Sequence, residues 1–367
     1  MKERIEKKFP VDALGCMCGT SMDGLDLALI RTDGKEIHSF GKTSFRAFAE
    51  HEKEILRASL GRWKVDELVI KASELITNIH IAEIKKFKTD LIGFHGQTIA
   101  HDPENRRTHQ IGSGEKISAA VKLPTVWDFR TADIENGGQG APLAPFFHFA
   151  CAKYLGIEDV VAFLNLGGVG NITVVDTKFE SPEVTGALLA FDTGPANGPI
   201  DDLMFENLKK HYDLDGNLAN QGKVDNNLLS QFLSDKYFSL KPPKSLDRNS
   251  FKTFKILLNK LPLADAVATA TAACVASVSL GLDCLSIKPK KILVSGGGRK
   301  NKTLMKGLKT NLTADVSIID DYGLDGDMLE AQAFGFLAVR VLRGLQTSAI
   351  STTGVQSRVS GGIISYP

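Results

Sequence analysis

The sequence has no excess of either charge: 44 Lys and Arg stand against 43 Asp and Glu, a formal net charge of +1. That balance leaves no electrostatic footprint for a nucleic acid or an anionic membrane surface, so neither partner is expected. Cysteine is scarce, odd in number and scattered, at Cys16, Cys18, Cys151, Cys274 and Cys284, which excludes a disulfide framework and fits a reducing cytoplasm. Cys16 and Cys18 share one strand face. Zinc pairs normally have two to four residues between them and need a second pair, which is missing here. The two are read as small core residues, and no metal site is expected. The charged opening, Met1 to Lys8, is not followed by an apolar segment and is not read as a signal peptide. The longest apolar stretch, Ala264 to Leu282, is rich in Ala, Thr and Ser and contains Asp265, so it is expected to be a core helix rather than a membrane span. Repeats of solenoid length and low-complexity segments are absent. So is G-x-x-x-x-G-K-[ST], which rules out a P-loop, and residues 19–24 lack G-x-G-x-x-G, which argues against a dinucleotide fold.

What is present is a chain of 367 residues, 43% apolar, long enough for two domains. Strand-like and helix-like runs alternate. Ala13–Cys18 and Leu25–Thr32 predict a hairpin, Leu68–Phe87 a helix, "DLIGFHG" a buried strand ending in glycine, and "PTVWDF" another strand. The pattern then restarts with a helix over Pro142–Tyr154. A hairpin follows in "VVAFLNLGG" and "GNITVVD", then the strand "GALLAFDTGP", a helix over Leu263–Leu282, the strand "KKILVSGGG" and a helix over Met328–Leu345. This alternation predicts an α/β protein whose ligands lie beyond the carboxyl ends of strands. The restart places a boundary near residue 129. One domain is expected over 1–128 with about 345–367 returning to it, and a second over 129–344.

Three glycine-rich turns fall at predicted strand ends: Gly19-Thr20-Ser21-Met22-Asp23-Gly24, Gly167-Gly168-Val169-Gly170-Asn171, and Ser295-Gly296-Gly297-Gly298. Glycine lets backbone amides approach a phosphate and hydroxyls add donors, so together they suggest a nucleotide held between two domains. Any one of them alone reads as a tight turn. Asp192 ends a strand; it is either a general base facing a cleft or a cap for the following helix. Arg130 can bind a carboxylate or phosphate through two parallel bonds, or pair with Asp128 or Asp133. His95 and His101 are each either satisfied structural histidines or sugar contacts. Glu330, at the start of an apolar helix, reads by itself as a first-turn acid.

The motifs GTSMDGLDLAL, GFHGQTIAH, DFRTADIENGGQGAPLAPFFH, NLGGVGNIT, FDTGPANGPIDDL, SGGGRKN and LEAQAFGFLA occur in that order, from about residue 12 to 364. Together they resemble the anhydro-N-acetylmuramic acid kinases of bacterial cell-wall recycling. The resemblance implies the sugar kinase/Hsp70/actin fold, an actin-like ATPase architecture of two α/β domains with an interdomain active-site cleft. It implies ATP, with Gly19, Thr20, Ser21, Met22, Asp23, Gly24, Leu25 and Asp26 as the first phosphate loop. Gly167, Gly168 and Asn171 would be the second, and Gly296 and Gly297 the nucleotide-side loop. Mg²⁺ would bridge the phosphates. The implied reaction hydrolyses the 1,6-anhydro bridge of 1,6-anhydro-N-acetylmuramic acid while O6 takes the γ-phosphoryl group, giving N-acetylmuramic acid 6-phosphate and ADP. Asp192 matches the family's catalytic aspartate and Glu330 a glutamate near the same water, a carboxylate pair of the inverting-glycosidase kind. Arg130 matches an arginine of the sugar pocket, to which His95, Gln97 and Gln139 are also assigned. Relatives suggest a homodimer, and the cysteine usage fits a cytoplasmic protein.

Two departures stand out. Cys18 occupies a position where relatives usually have Ser. "PPKSLDRNSF" (242–251) keeps Lys244, Ser245 and Arg248 but has Leu246-Asp247 in place of a Thr-Gly pair. The rival functions are a kinase for a plainer anhydrosugar such as levoglucosan, a non-catalytic sugar sensor, and an actin-like filament or chaperone ATPase. The sensor reading expects a DNA-binding helix-turn-helix, for which the roughly ten residues before the first strand leave no room.

Overall fold

The computed structural model describes residues 9–246 and 250–367; Met1 to Lys8 and Asp247 to Asn249 lie outside the described residues. Among the described residues, twelve strands form two mixed sheets. The first contains β1 (Val11–Cys18), β2 (Gly24–Thr32), β3 (Ile37–Ala47), β4 (Leu91–Asp102), β5 (Arg107–Ile111) and β6 (Thr125–Trp127). The second contains β7 (Val161–Leu166), β8 (Val169–Val175), β9 (Leu188–Pro195), β10 (Lys291–Ser295) and β11 (Asp315–Ile318). The last strand, β12 (Ile363–Ser365), returns to the first sheet and pairs antiparallel with β6, Ile363 opposite Trp127.

One topology is used twice. The first sheet runs β3-β2-β1-β4-β6 and the second β9-β8-β7-β10-β11, with β12 and β5 added to the first. In each, three antiparallel strands form a meander whose first strand then pairs in parallel with a later one. Parallel neighbours need a crossover, and helices supply it, so the α/β class expected from sequence is what forms.

By its internal contacts the chain divides into two compact units. The first runs to Gly156 and adds Ser181–Thr185 and Met328–Pro367; the second comprises Ile157–Glu180 and Gly186–Asp327. Residues 129–156 and 328–344, placed beyond the boundary near 129 on sequence grounds, therefore lie in the first unit. Their attachments explain it. Asp133 accepts a hydrogen bond from Thr353 Oγ1 at 2.6 Å, and the helix Leu329–Leu342 packs on β1, β2 and β4.

In the first unit that helix lies directly on the sheet. A side chain at Gly15 would overlap the Ala331 carbonyl, and one at Gly93 the Phe334 carbonyl. In the second unit the helix Leu263–Asp283 is long and apolar enough to cross a membrane by length and composition. It nevertheless buries both faces within the unit. Cys274, Val275 and Val278 join Leu164, Ile172 and Phe191 of the sheet, and Ala266, Val267 and Ala270 join Leu203, Phe232 and Leu258 of the helical layer.

Candidate active site

The 19–24 turn joins the carboxyl end of β1 to β2. Met22 adopts a left-handed backbone (φ 58°), its N–H donates to Gly19 O at 3.1 Å, and the Asp23 carbonyl accepts from Phe48 N–H at 2.9 Å. Met22 and Leu25 bury their side chains in the core beside Cys16 and Cys18, so only their backbone is placed for a ligand. Thr20, Ser21 and Asp23 are exposed. Burying Met22 anchors the turn, and its two hydroxyls are presented outward. Gln97 follows Gly96 in β4, and Gly96 has φ 78°. That residue turns the strand without ending it, because β4 goes on to pair with β5. Gln97 is fully buried and donates from Nε2 to Gly19 O at 3.2 Å, while its Oε1 has no hydrogen-bond partner among the described residues.

Arg130 organises the sugar-side candidates of the first unit. Its Nε donates to His95 Nε2 at 3.0 Å and its Nη1 to Gly140 O at 2.5 Å. His95 donates its other ring N–H, on Nδ1, to Gly96 O at 2.8 Å. Both nitrogens of His95 are thus committed, and any part it plays in sugar binding passes through Arg130. The pairings of Arg130 with Asp128 or Asp133 considered from sequence do not form as hydrogen bonds. Asp128 accepts from Thr131 Oγ1 at 2.6 Å, and Asp133 accepts from Gly140 N–H at 2.7 Å and from Thr353. Asp133 fixes the glycine-rich turn that carries Gln139, whose N–H donates to Thr353 O and whose carbonyl faces His101 Nε2. Burial lowers the Arg130 pKa to about 10, opposed by the charges of Glu330 and Asp133. Glu330 starts the 329–342 helix with an exposed side chain. The protein around it pushes its carboxyl upward and Arg130 pulls it down; the push is weakened by the water the side chain reaches.

In the second unit two glycine turns meet at the carboxyl ends of the parallel neighbours β7 and β10, where Ser295 lies opposite Asn165. Gly296 has φ 74°, and a side chain there would overlap Asn165 Oδ1. Gly297 is open, its nearest neighbour being Asn197 Nδ2 at 3.5 Å from an added Cβ. Asn197 opens the helix Asn197–Leu208 and donates from Nδ2 to Leu166 O at 2.9 Å. The backbone N–H groups of Ala196 and Gly198 donate to Gly168 O, each at 3.1 Å, and that of Asn197 to Gly167 O at 2.8 Å. The start of this helix therefore braces the Gly167-Gly168 turn and does not present those amides to a ligand.

Asp192 lies in β9, next to Asn171 of β8. The helix that follows is capped by Ala196 without any side-chain hydrogen bond, so the capping role considered from sequence is not the one Asp192 plays. Its Oδ2 accepts instead from Leu246 N–H at 2.7 Å. Burial pushes the carboxyl up to about 7, and the Leu246 amide works against that rise.

The residues just described carry the motifs of one known family, and its model, described as anhydro-N-acetylmuramic acid kinase, matches residues 12–367. The chain belongs to that family. The anhydro-N-acetylmuramic acid kinase of Ruegeria sp. (strain TM1040) is 51% identical, covering 100% of this chain and 98% of its own. That of Roseobacter denitrificans (strain ATCC 33942 / OCh 114) is 50% identical, covering 100% and 97%. Among solved structures, a ligand-bound xylulose kinase from Lactobacillus acidophilus is a distant likeness: 10% identity, TM-score 0.42, covering 97% of this chain and 94% of that one.

Within the family's frame, the predicted residues fall into two groups. The first unit gathers residues 19–26, His95, Gln97, Arg130, Gln139 and Glu330; the second gathers Gly167, Gly168, Asn171, Asp192, Gly296 and Gly297. Sequence reasoning missed Asn165 and Asn197, which set the geometry of the second unit's turns. Asn197 stands in "FDTGPANGP" two residues after the strand, at the start of the following helix, which is the available signal.

Proposed function

We propose that this protein is an ATP-dependent kinase of 1,6-anhydro-N-acetylmuramic acid, opening the anhydro ring and phosphorylating O6 to give N-acetylmuramic acid 6-phosphate and ADP. The carrying observation is the family match over residues 12–367, joined by relatives of about 50% identity over the full chain. In the cell this would serve peptidoglycan recycling and amino sugar catabolism, in the cytoplasm and as a homodimer.

In this reading the exposed Thr20 and Ser21 hydroxyls and the turns at Gly167-Gly168 and Gly296-Gly297 receive ATP. Mg²⁺ takes oxygen donors and usually rides on nucleotide phosphates with one or two carboxylates. Asp23, exposed in the same turn as the two hydroxyls, is a fitting donor. When bound, the metal would neutralise charge developing on the transferred phosphoryl group. Arg130 holds the lactyl carboxylate through Nη2, which has no hydrogen bond among the described residues. Asp192 takes a proton from water as the water oxygen bonds to C1. The C1–O6 bond breaks, O6 bonds to the γ-phosphorus, and the phosphoryl bond to ADP breaks. Glu330 is the second carboxylate assisting that water. A base with a pKa near the working pH suits the first step.

The test is one reaction: protein, Mg-ATP and the anhydro sugar in heavy-oxygen water, read by mass spectrometry. A phosphorylated product with one heavy oxygen at C1 is expected. Turnover of levoglucosan in its place would move the substrate, and no product from either sugar would overturn the kinase reading.

A further inference from the structure

β9 is an edge strand, so the outward backbone groups of Asp192 have no sheet partner. One loop supplies all of them. Lys244 O accepts from Asp192 N–H at 2.9 Å, Tyr237 Oη donates to Asp192 O at 2.5 Å, and Leu246 N–H donates to Asp192 Oδ2 at 2.7 Å. The loop is also closed on itself. Lys244 Nζ donates to Tyr237 O at 3.1 Å and stands 4.5 Å from the centre of the Tyr237 ring. The ring is buried among Phe238 and Phe251.

We infer that Tyr237 and Lys244 are positioning residues: they clasp the 237–246 loop to β9 and thereby hold the Asp192 carboxylate on the Leu246 amide. The inference rests on the reading of Asp192 as the base that activates water. An edge strand carries no second neighbour to fix it, and a carboxylate there would swing with its backbone. The clasp removes that freedom at three points on a single residue. It also explains how the divergent stretch at Leu246 is tolerated: what reaches Asp192 is a backbone N–H, which any residue but proline provides.

Tyr237→Phe keeps the ring and removes one hydrogen bond. The expected result is a kcat about 10- to 100-fold lower with the KM for ATP unchanged within about twofold, since a small misplacement of a reacting group costs that much. Lys244→Met, which keeps the aliphatic stem, should act in the same direction. A second readout does not depend on turnover: the Asp192 carboxyl followed by carbon NMR in aspartate-labelled protein across pH. The ionisable groups of the loop at this point are the Tyr237 phenol and the Lys244 ammonium. A loosened clasp weakens the Leu246 hydrogen bond to the carboxylate, so the titration should move to higher pH in both variants. An unmoved titration with unchanged kcat would overturn the clasp. So would a fall in thermal stability that lowers kcat and raises every KM together. If wild-type protein turned over no anhydro sugar, the function would fail while the NMR comparison still decided the clasp.

Discussion

Arg130 donates from Nε to Nε2 of His95 across 3.0 Å, and this bond sets the chemistry of both side chains. His95 must be the neutral tautomer with its proton on Nδ1, where it donates to Gly96 O. Burial and the neighbouring guanidinium both hold its pKa well below the ordinary histidine range. His95 is therefore a fixed acceptor rather than a pH switch. With Nη1 on Gly140 O, the plane of Arg130 is fixed by two anchors before any ligand arrives.

Arg130→Ala should raise the KM for the muramic sugar by about 10- to 100-fold while leaving that for ATP within about twofold, in keeping with loss of a charge-assisted pair. Steady-state kinetics with each substrate varied in turn checks this. An equal rise in both KM values would remove the sugar-carboxylate role and leave a general structural one.

The Asp192 carboxyl, pushed up to about 7 by burial, predicts a pH profile. A base must be ionised, so kcat should rise with pH through an acid limb near 7 and level above it. Asp192→Asn should lose activity and still bind ATP. Stability should move the opposite way. The folded pKa is raised above the unfolded value of about 3.9, so ionisation costs nothing at low pH and costs stability as pH rises from about 4 through about 7. The Asn variant should thus be more stable than wild type at pH 8, by about 4 kcal/mol at most, and within about 0.5 kcal/mol of it at pH 4. Urea unfolding at the two pH values decides it; a variant no more stable at pH 8 would mean the carboxyl is not destabilised by burial.

Much of the fold was legible because its interior elements are patterned. β1, β7 and β10 are mostly apolar runs followed directly by glycine, and the 329–342 helix is apolar almost all round because it is buried almost all round. β3 escaped because its sequence, IHSFGKTSFRA, belongs to a largely exposed edge strand with no clean alternation. β12 escaped because three residues pair with β6 across 236 positions of chain, Ile363 with Trp127, and no local signal encodes such a partner. At the site, residue types were legible and partners were not. Asp192 could be singled out, but whether it capped a helix or faced a loop depended on Leu246, 54 residues on. His95 could be read from sequence as a structural histidine or a sugar contact, and its partner Arg130, 35 residues on, is not encoded locally.

Gly296 and Gly297 should respond differently to alanine. Gly296 has φ 74° and no room beside Asn165 and Leu166, so Gly296→Ala should distort the turn and destabilise the second unit by about 1–3 kcal/mol. Gly297 has an ordinary backbone and an open Cβ direction. Gly297→Ala should leave thermal unfolding unchanged and raise the KM for ATP if the turn approaches phosphate closely. Unchanged ATP kinetics in Gly297→Ala would argue against that approach.

Gly15 sets the position of Glu330 from the opposite side of the sheet contact. It lies in β1, and a Cβ there would overlap the carbonyl of Ala331, the residue after Glu330. Gly93 in β4 makes the same close approach to Phe334 one turn later, so two neighbouring parallel strands both lack side chains where this helix lies. Backbone against backbone leaves no flexible atom to give way, so Gly15→Ala must lift the helix start or bend β1. Overpacking of this kind costs about 1–3 kcal/mol or more. The displaced residues are those that begin the helix, Glu330 among them. Gly15→Ala is therefore expected to lower the urea midpoint and, at temperatures where the protein stays folded, to lower kcat with little change in the KM for ATP. An alanine variant as stable and as active as wild type would show that the helix can shift without cost, and that Glu330 does not depend on where it starts.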